Sequence, residues 1–353
     1  MTSPIPTPEE QVYFLRNIQR LLAEGQFVAS YKFALVRALA DLSVLKGEDS
    51  GTPLELDTRD IAAKFVELYW RQSRPFQLTT GTSGLILQQN TGRQASIVSK
   101  IVDAQHACGA SLFRLKQSTP DRWSELVADV DQVVRTMPLW KLQTVGDERL
   151  DFLYENLDRG NQITLKTGVA YCFRAFYELI RDLIEGAWLR FVQTINANNL
   201  GSSTDLGTFL FGQERADLHL YRPILMDLQH GVCLYCQQKL PQETHVDHFI
   251  PWSRYPADLG HNFVLSHKQC NAAKSDYLAA ENHLAAWSER NRLNQEELQS
   301  RLQEASLPCD LSASMQVARW VYEQTEKAHG QVWVRERVLQ HLGPAWSQCL
   351  SMK

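Results

Sequence analysis

The sequence predicts an α+β protein that is predominantly α-helical, with a helical N-terminal region carrying a small β-hairpin, a short module suited to binding metal, and a helical C-terminal region. Apolar residues recur at helical spacing over most of the 353 residues. A polar stretch, NANNLGSSTDLGT at 196–208, interrupts that spacing. Seven of the ten histidines then fall between His219 and His283, so the residues able to bind metal are concentrated in one segment.

The bulk composition is typical of a globular protein with a sizeable core. Hydrophobic residues make up 44% of the chain and charged residues 22%. The net charge is -4, so binding to phosphate would depend on a local patch or a bound metal. The first residues, MTSPIPTPEE, lack the basic and apolar segments of a secretory signal, and no apolar run is long enough to span a membrane. We therefore expect a soluble, cytoplasmic protein with no membrane partner.

The N-terminal region is predicted to be mainly helical. Thr7 supplies a capping hydroxyl, Pro8 suits the first helical position, and two glutamates follow in the first turn. Short β-like runs at 150–154 and 162–166 flank a turn at 158–161 and predict a hairpin. Further helical patterns cover 33–45, 60–70, 93–115, 123–134 and 168–196.

The polar break at 196–208 indicates a domain boundary. We expect a helical domain at 1–210 that recognises the substrate or a partner. A second domain at 211–280 contains the histidine-rich segment. The region 281–353 is expected to pack on the rest of the protein, with helices at 281–290, 294–304 and 314–328.

Two pairs of metal-binding side chains lie 30 residues apart in the histidine-rich segment. They are Cys233-x2-Cys236 and His267-x2-Cys270, which together offer three thiolates and one imidazole. Structural zinc is held by four such ligands in a tetrahedron, so the spacing favours a zinc site. Two alternatives are buried thiols beside a surface histidine, and a redox dithiol, which would need no second pair downstream.

A second constellation lies between the two pairs. The segment from Val246 to Pro251, VDHFIP, predicts a short strand, on which Asp247 and His248 would point to opposite faces. Asn262 lies in a Gly-His-Asn-Phe turn, and Asn271 follows the last metal-binding cysteine on a predicted helix. Bound zinc would fasten that helix beside the strand. An Asp-His pair by itself would instead indicate a surface carboxylate next to a packed histidine.

The motifs CLYC, VDHFIP, HNFVL and CNAAKSD, in this order, resemble those of the HNH nucleases, a branch of the ββα-metal (His-Me finger) endonucleases. The resemblance covers about 50 residues, from 233 to about 278. In one respect the chain departs from many zinc-containing members, because His267 stands where they have the first cysteine of a second C-x2-C pair. Imidazole can replace thiolate on zinc, so we expect the site to be retained.

The resemblance implies a zinc-clipped ββα-metal module with a defined set of roles. His248 would be the general base, because its pKa is suited to proton transfer near neutral pH. Asp247 and Asn271 would hold one Mg2+ or Mn2+ ion through hard oxygen ligands, and Asn262 would brace the loop or orient His248. Zinc would be held by Cys233, Cys236, His267 and Cys270. Weaker candidates for contacts with nucleic acid are Lys274, Arg254 and Trp252.

The function implied by the resemblance is hydrolysis of phosphodiester bonds, with double-stranded DNA as the favoured partner. By association with the family, the setting would be bacterial restriction or anti-phage defence, where a protein partner is also expected. Two alternatives stay open at this stage. One is an HNH toxin that cleaves RNA, and the other is a zinc-stabilised module that binds nucleic acid without cleaving it.

Overall fold

The computed structural model describes residues 5–25, 27–76, 84–109, 111–155, 160–200, 206–212 and 217–351. It confirms the predicted class, because helices dominate and the strands form two-stranded antiparallel sheets. The chain divides into two compact units, residues 1–212 and 213–353. Part of the polar break at 196–208, and part of the turn predicted at 158–161, lie outside the described residues.

The first unit is a helical assembly with two small sheets. Its helices are α1 (Pro8–Glu24), α2 (Tyr31–Lys46), α3 (Thr58–Gln72), α4 (Ser96–Cys108), α5 (Leu112–Ser118), α6 (Pro120–Thr136), α7 (Pro138–Lys141), α8 (Val169–Ala175), α9 (Tyr177–Ile195), α10 (Ala197–Leu200) and α11 (Leu206–Phe211). Its strands are β1 (Leu54–Asp57), β2 (Thr144–Val145), β3 (Glu148–Arg149) and β4 (Gln162–Leu165).

Local sequence explains how the first helices begin and where they lie. Thr7 forms the predicted capping box, in which its side chain accepts from the backbone N–H of Glu10 and the Glu10 carboxylate accepts from the N–H of Thr7. Helix α2 is apolar around most of its circumference and is buried from Lys32 to Val44. It therefore forms the centre of this unit.

Three details differ from the sequence prediction, the first being that the helix predicted at 93–115 is divided into α4 (Ser96–Cys108) and α5 (Leu112–Ser118). The strand at 162–165 pairs with β1, while the run at 150–154 contributes a single bridge, between Tyr154 and Leu165. The composition of a segment indicates whether its backbone is extended, but it does not indicate which strand it pairs with. Two runs that are close in the sequence are therefore predicted to pair with each other. The predicted helix at 168–196 is divided at Phe176, whose backbone angles are not helical.

The second unit contains a ββα arrangement surrounded by helices. Its strands are β5 (His245–His248), β6 (Phe263–Ser266), β7 (Gln331–Arg335) and β8 (Val338–His341). Its helices are α12 (Arg222–Leu228), α13 (Lys268–Lys274), α14 (Glu281–Leu293), α15 (Gln295–Glu304), α16 (Leu311–Lys327) and α17 (Trp346–Cys349). Helix α13 follows β6 directly and packs against both β5 and β7.

The β7–β8 hairpin was not predicted from the sequence, which indicated a wholly helical C-terminal region. Strand β7 packs through Trp333, which forms a parallel bridge with Ala279 and contacts the rings of Tyr235 and His283. A five-residue strand offers too few positions for its alternation to be distinguished from a helix end. Among the described residues, none of the helices is both long and apolar enough to cross a membrane.

Candidate active site and metal centre

Strands β5 and β6 and helix α13 hold the residues that the sequence singled out. The strands are antiparallel, with Asp247 opposite Val264 and His248 opposite Phe263. Neighbouring residues of a strand face opposite sides, and the side chains of Asp247 and His248 accordingly have separate sets of contacts.

The carboxylate of Asp247 is held through one of its two oxygens. Oδ2 accepts a hydrogen bond from the hydroxyl of Tyr235 at 2.5 Å and lies 3.2 Å from the ammonium of Lys274. Among the described residues, none donates a hydrogen bond to Oδ1. The side chain retains 11% of its exposure. Asp247 therefore presents one oriented oxygen that could bind a cation.

Lys274 has no exposed surface, and its ammonium is directed into the protein. It donates hydrogen bonds to the carbonyl oxygens of His248, at 3.0 Å, and Ser275, at 3.5 Å. Two carbonyl oxygens and one carboxylate oxygen thus lie around the ammonium group. In this arrangement the charge of Lys274 balances Asp247, whereas the sequence suggested a contact with the phosphate of nucleic acid.

The imidazole of His248 is fixed by a carboxylate and two aromatic rings. Its Nε2 lies 3.0 Å from Oδ1 of Asp258, and its ring packs edge-on against Phe263 and Trp252 at 4.7 and 5.2 Å between ring centres. An ionised carboxylate can only accept, so Nε2 carries the proton in the neutral ring and Nδ1 keeps its lone pair. No hydrogen bond from the described residues reaches Nδ1. The arrangement can serve a base, since the free lone pair is held in one direction.

The two asparagines have different surroundings. The side chain of Asn262 donates to the carbonyl of Ile250 at 2.9 Å and accepts from the backbone N–H of Ile250 at 2.7 Å, so it braces the loop between the strands. Its amide is therefore committed to the backbone and does not bond the imidazole of His248. Asn271 is half-buried on α13 and lies one turn before Lys274.

The remaining candidates lie around this core. Trp252 is half-buried against His248, and Arg254 is exposed two residues later. His245 is exposed at the start of β5. His261 has no exposed surface and no hydrogen bond to either ring nitrogen within the described residues. Burial, together with the nearby charge of Arg290, lowers the pKa of His261 to about 4.

The four predicted zinc ligands meet in one cluster. The ligand atoms of Cys233, Cys236, His267 and Cys270 all lie within 4.8 Å of one another. Zn–S bonds of about 2.3 Å give a tetrahedron with edges of about 3.8 Å, so small movements would bring these atoms onto one ion. The cluster could therefore hold zinc.

The surroundings of His267 and Cys270 agree with a metal site. Nδ1 of His267 lies 3.3 Å from the sulfur of Cys236, and its Nε2 lies 3.1 Å from the carbonyl oxygen of Lys239. A carbonyl only accepts, so Nε2 carries the proton and Nδ1 offers its lone pair to the cluster. Burial and the two neighbouring thiols raise the pKa of Cys270 to about 12. A bound cation favours the ionised form of a thiol ligand.

Two contacts of the site were not identified from the sequence. Asp258 bonds His248, and Tyr235 bonds Asp247. A signal for Asp258 did exist, because it is the one acidic residue between His248 and Asn262. Tyr235 is the aromatic residue of the CLYC motif, but the sequence does not indicate that its hydroxyl contacts Asp247, twelve positions later.

Comparison with known families supplies two matches. A model described as HNH endonuclease matches residues 233–277, which confirms the resemblance found in the motifs. A model described as Domain of unknown function (DUF8808) matches residues 12–210, more than half of the chain. No curated protein and no solved structure matches the chain. The protein therefore belongs to the DUF8808 family, and it carries an HNH endonuclease domain in its second unit.

Proposed function

We propose that the protein is a metal-dependent endonuclease that hydrolyses phosphodiester bonds in DNA, with His248 as the general base. The observation that carries this proposal is the pairing of two open atoms on neighbouring residues. His248 has an oriented Nδ1 lone pair, and Asp247 has an oriented Oδ1. Metal-assisted hydrolysis of a phosphodiester uses a base for the attacking water and a cation bound near the phosphate.

A hard divalent cation suits the oxygen donors of Asp247 and Asn271. Oδ1 of Asp247 and the amide oxygen of Asn271 would hold it, and oxygen ligands of this kind favour Mg2+ or Mn2+. Bound there, the ion would polarise the phosphate and stabilise the leaving oxygen. Lys274 keeps the other oxygen of Asp247 occupied, so the carboxylate does not need to turn when a cation arrives.

The remaining chemistry belongs to the side chains around His248. Nδ1 takes a proton from the attacking water, and the ring then becomes positively charged. Asp258 stabilises that charge through Nε2, and the rings of Phe263 and Trp252 keep the imidazole plane fixed. Asn262 contributes indirectly by bracing the loop that carries Trp252 and Asp258.

We further propose that the cluster of three cysteines and His267 holds a structural zinc ion. The cluster joins the CLYC turn to the beginning of α13, since Cys270 lies in the first turn of that helix. Zinc would therefore fix the helix that carries Asn271 and Lys274 beside β5. Folding of this small module would depend on the bound ion.

Double-stranded DNA as substrate, and a role in restriction or anti-phage defence, extend the proposal by resemblance to the family. The unit at 1–212, which contains the DUF8808 match, is proposed to recognise the substrate or a protein partner. RNA is the second candidate substrate, because the proposed chemistry acts on the phosphodiester, which DNA and RNA share.

Incubation of the purified protein with plasmid DNA and with structured RNA, each with Mg2+ or Mn2+, tests the proposal. We expect nicking or cutting of the DNA, and its loss in His248→Ala. His245→Ala is the matched control, because His245 lies on the same strand but is exposed and has no role in the proposed chemistry.

Equal cleavage by the wild type and His248→Ala would contradict the assignment of the base. Preferential cleavage of RNA would favour the second substrate. A protein that binds either nucleic acid and cleaves neither would support the non-catalytic alternative.

A further inference from the structure

Tyr235 occupies an unusual position, because it lies between two of the proposed zinc ligands and contacts the proposed ligand of the second metal. The turn that carries it is closed by two backbone hydrogen bonds, from Cys233 to Gln238 at 2.9 Å and from Gln237 to Cys233 at 3.0 Å. Any ion that draws Cys233 and Cys236 together would fix this turn. The position of the Tyr235 backbone therefore depends on whether the cysteine cluster holds an ion.

The side chain of Tyr235 has little freedom to move relative to that backbone. It is buried, and its ring lies edge-on to the rings of His283 and Trp333, at 5.5 and 5.3 Å between ring centres. Dense packing of this kind restricts the ring to one rotamer. The hydroxyl consequently follows the turn, and it is this hydroxyl that donates to Oδ2 of Asp247 at 2.5 Å.

We propose that Tyr235 is a positioning residue that couples the cysteine cluster to the orientation of Asp247. This inference rests on the proposed function, in which Asp247 holds the catalytic cation. With Tyr235 and Lys274 both on Oδ2, rotation of the carboxylate would break two contacts, so Oδ1 stays directed toward the cation. Groups that orient a metal ligand contribute to the affinity for the metal even though they do not touch it.

The coupling has a thermodynamic consequence. If zinc in the cluster favours the orientation of Asp247 that binds the second cation, then the second cation must favour zinc binding by the same factor. The zinc site would then be more than a support for the fold, because its occupancy would set the affinity for the catalytic ion.

The experiment measures Mn2+ binding by electron paramagnetic resonance on the zinc-loaded full-length chain, without nucleic acid. Tyr235→Phe removes only the hydroxyl, and we expect it to keep zinc at the wild-type level while binding Mn2+ about 10-fold or more weakly. Tyr322→Phe is the matched control, because Tyr322 is also buried and its hydroxyl donates to the carbonyl of Ala279 instead of Asp247. It should bind Mn2+ as the wild type does.

The other outcomes separate this inference from the proposed function. If Asp247→Asn keeps zinc but loses Mn2+, and Tyr235→Phe binds Mn2+ as tightly as the wild type, the coupling is wrong and the proposed function stands. If Asp247→Asn and the wild type bind Mn2+ equally, both the coupling and the proposed cation site are wrong. Loss of zinc from Tyr235→Phe would also overturn the coupling, because the hydroxyl would then support the fold of the module.

Discussion

The ammonium of Lys274 lies 3.2 Å from Oδ2 of Asp247, and the lysine has no exposed surface. A buried lysine without an anion would be strongly destabilising, so this ion pair is part of the fold as well as part of the site. The consequence is practical. Substitutions at Asp247 change the balance of buried charge together with the proposed cation site, and a loss of activity alone would not distinguish the two effects.

We predict that Asp247→Ala lowers the free energy of unfolding of the second unit by about 3–5 kcal/mol, because it leaves the charge of Lys274 buried and unpaired. Lys274→Met should cost a similar amount by leaving the carboxylate without its cation. Urea denaturation followed by tryptophan fluorescence measures both. The double variant should lose less than the sum of the two single losses, by about 2 kcal/mol, because it leaves no unpaired charge.

The exposed ion pair between Arg301 and Asp227 is the control for this cycle. Its members retain 29% and 66% of their exposure, and exposed pairs contribute about 0–1 kcal/mol. Asp227→Ala should therefore change the stability very little. Two results would contradict a stabilising role for the buried pair. In one, the losses of unfolding free energy in the two single variants add up to the loss in the double variant. In the other, each single loss is as small as that of Asp227→Ala.

The cysteine cluster gives a second prediction, which concerns metal content. Cys233→Ser or Cys270→Ser should release zinc and unfold the module, since the energy of metal binding in such small sites is energy of folding. Cys309→Ser should retain zinc, because Cys309 lies outside the cluster. Elemental analysis together with thermal unfolding checks both. Full zinc occupancy in Cys233→Ser would reject the proposed ligand set.

The histidine in the cluster can be tested by an exchange of ligand type. His267→Cys turns the second pair into the C-x2-C of many zinc-containing HNH members, and thiolate is a good zinc ligand. We expect this variant to keep zinc, whereas His267→Ala should bind it more weakly. Equal zinc affinity in all three proteins would show that His267 is not a ligand.

His261 predicts a dependence of stability on pH. Its pKa is lowered to about 4 in the folded protein, whereas an unfolded histidine titrates near 6.5. Between these values the unfolded chain binds a proton that the folded protein does not, so stability falls as the pH is lowered through this window. The loss from this residue amounts to about 3 kcal/mol at pH 4, at about 1.4 kcal/mol for each pH unit.

His261→Leu should reduce that dependence while changing stability little at pH 7.5, because neither ring nitrogen has a hydrogen bond to lose within the described residues. Carboxylates also titrate in this window, so the informative quantity is the difference in slope between the variant and the wild type. An unchanged slope in His261→Leu would contradict the lowered pKa.

Much of this site could be predicted from the sequence because its residues lie in short, ordered motifs. Cys233 and Cys236 are joined by one turn, and Asp247 and His248 are neighbours on one strand. The role of Lys274 could not be predicted in the same way. A lysine in a sequence carries no sign of its burial, and its choice of partner depends on how closely α13 packs against β5.

In the fold, too, the features with local sequence signals could be predicted and those that depend on long-range packing could not. Helix starts with strong local signals, such as the capping box at Thr7, are found as expected. The pairing of β4 with β1 joins segments about a hundred residues apart, and such a choice depends on packing that no local pattern records. The β7–β8 hairpin was missed for a related reason, because Trp333 is recognisable as a core residue only beside Tyr235 and His283.

The contact between His248 and Asp258 leads to the last prediction. Asp258→Ala removes the acceptor that keeps the proton on Nε2, so the imidazole could take the other tautomer or turn within its pocket. A general base contributes roughly 10²–10⁴-fold to the rate, and we expect Asp258→Ala to lose part of this in kcat. KM for DNA should change little, because Asp258 is proposed to act on the base and not on the substrate. Single-turnover cleavage separates the two quantities.

Asp258→Glu keeps a carboxylate and should recover part of the rate if the chain can place it near Nε2. An increase in KM at unchanged kcat would instead place Asp258 in substrate binding, and normal kinetics in Asp258→Ala would show that the rings of Phe263 and Trp252 suffice to orient the imidazole.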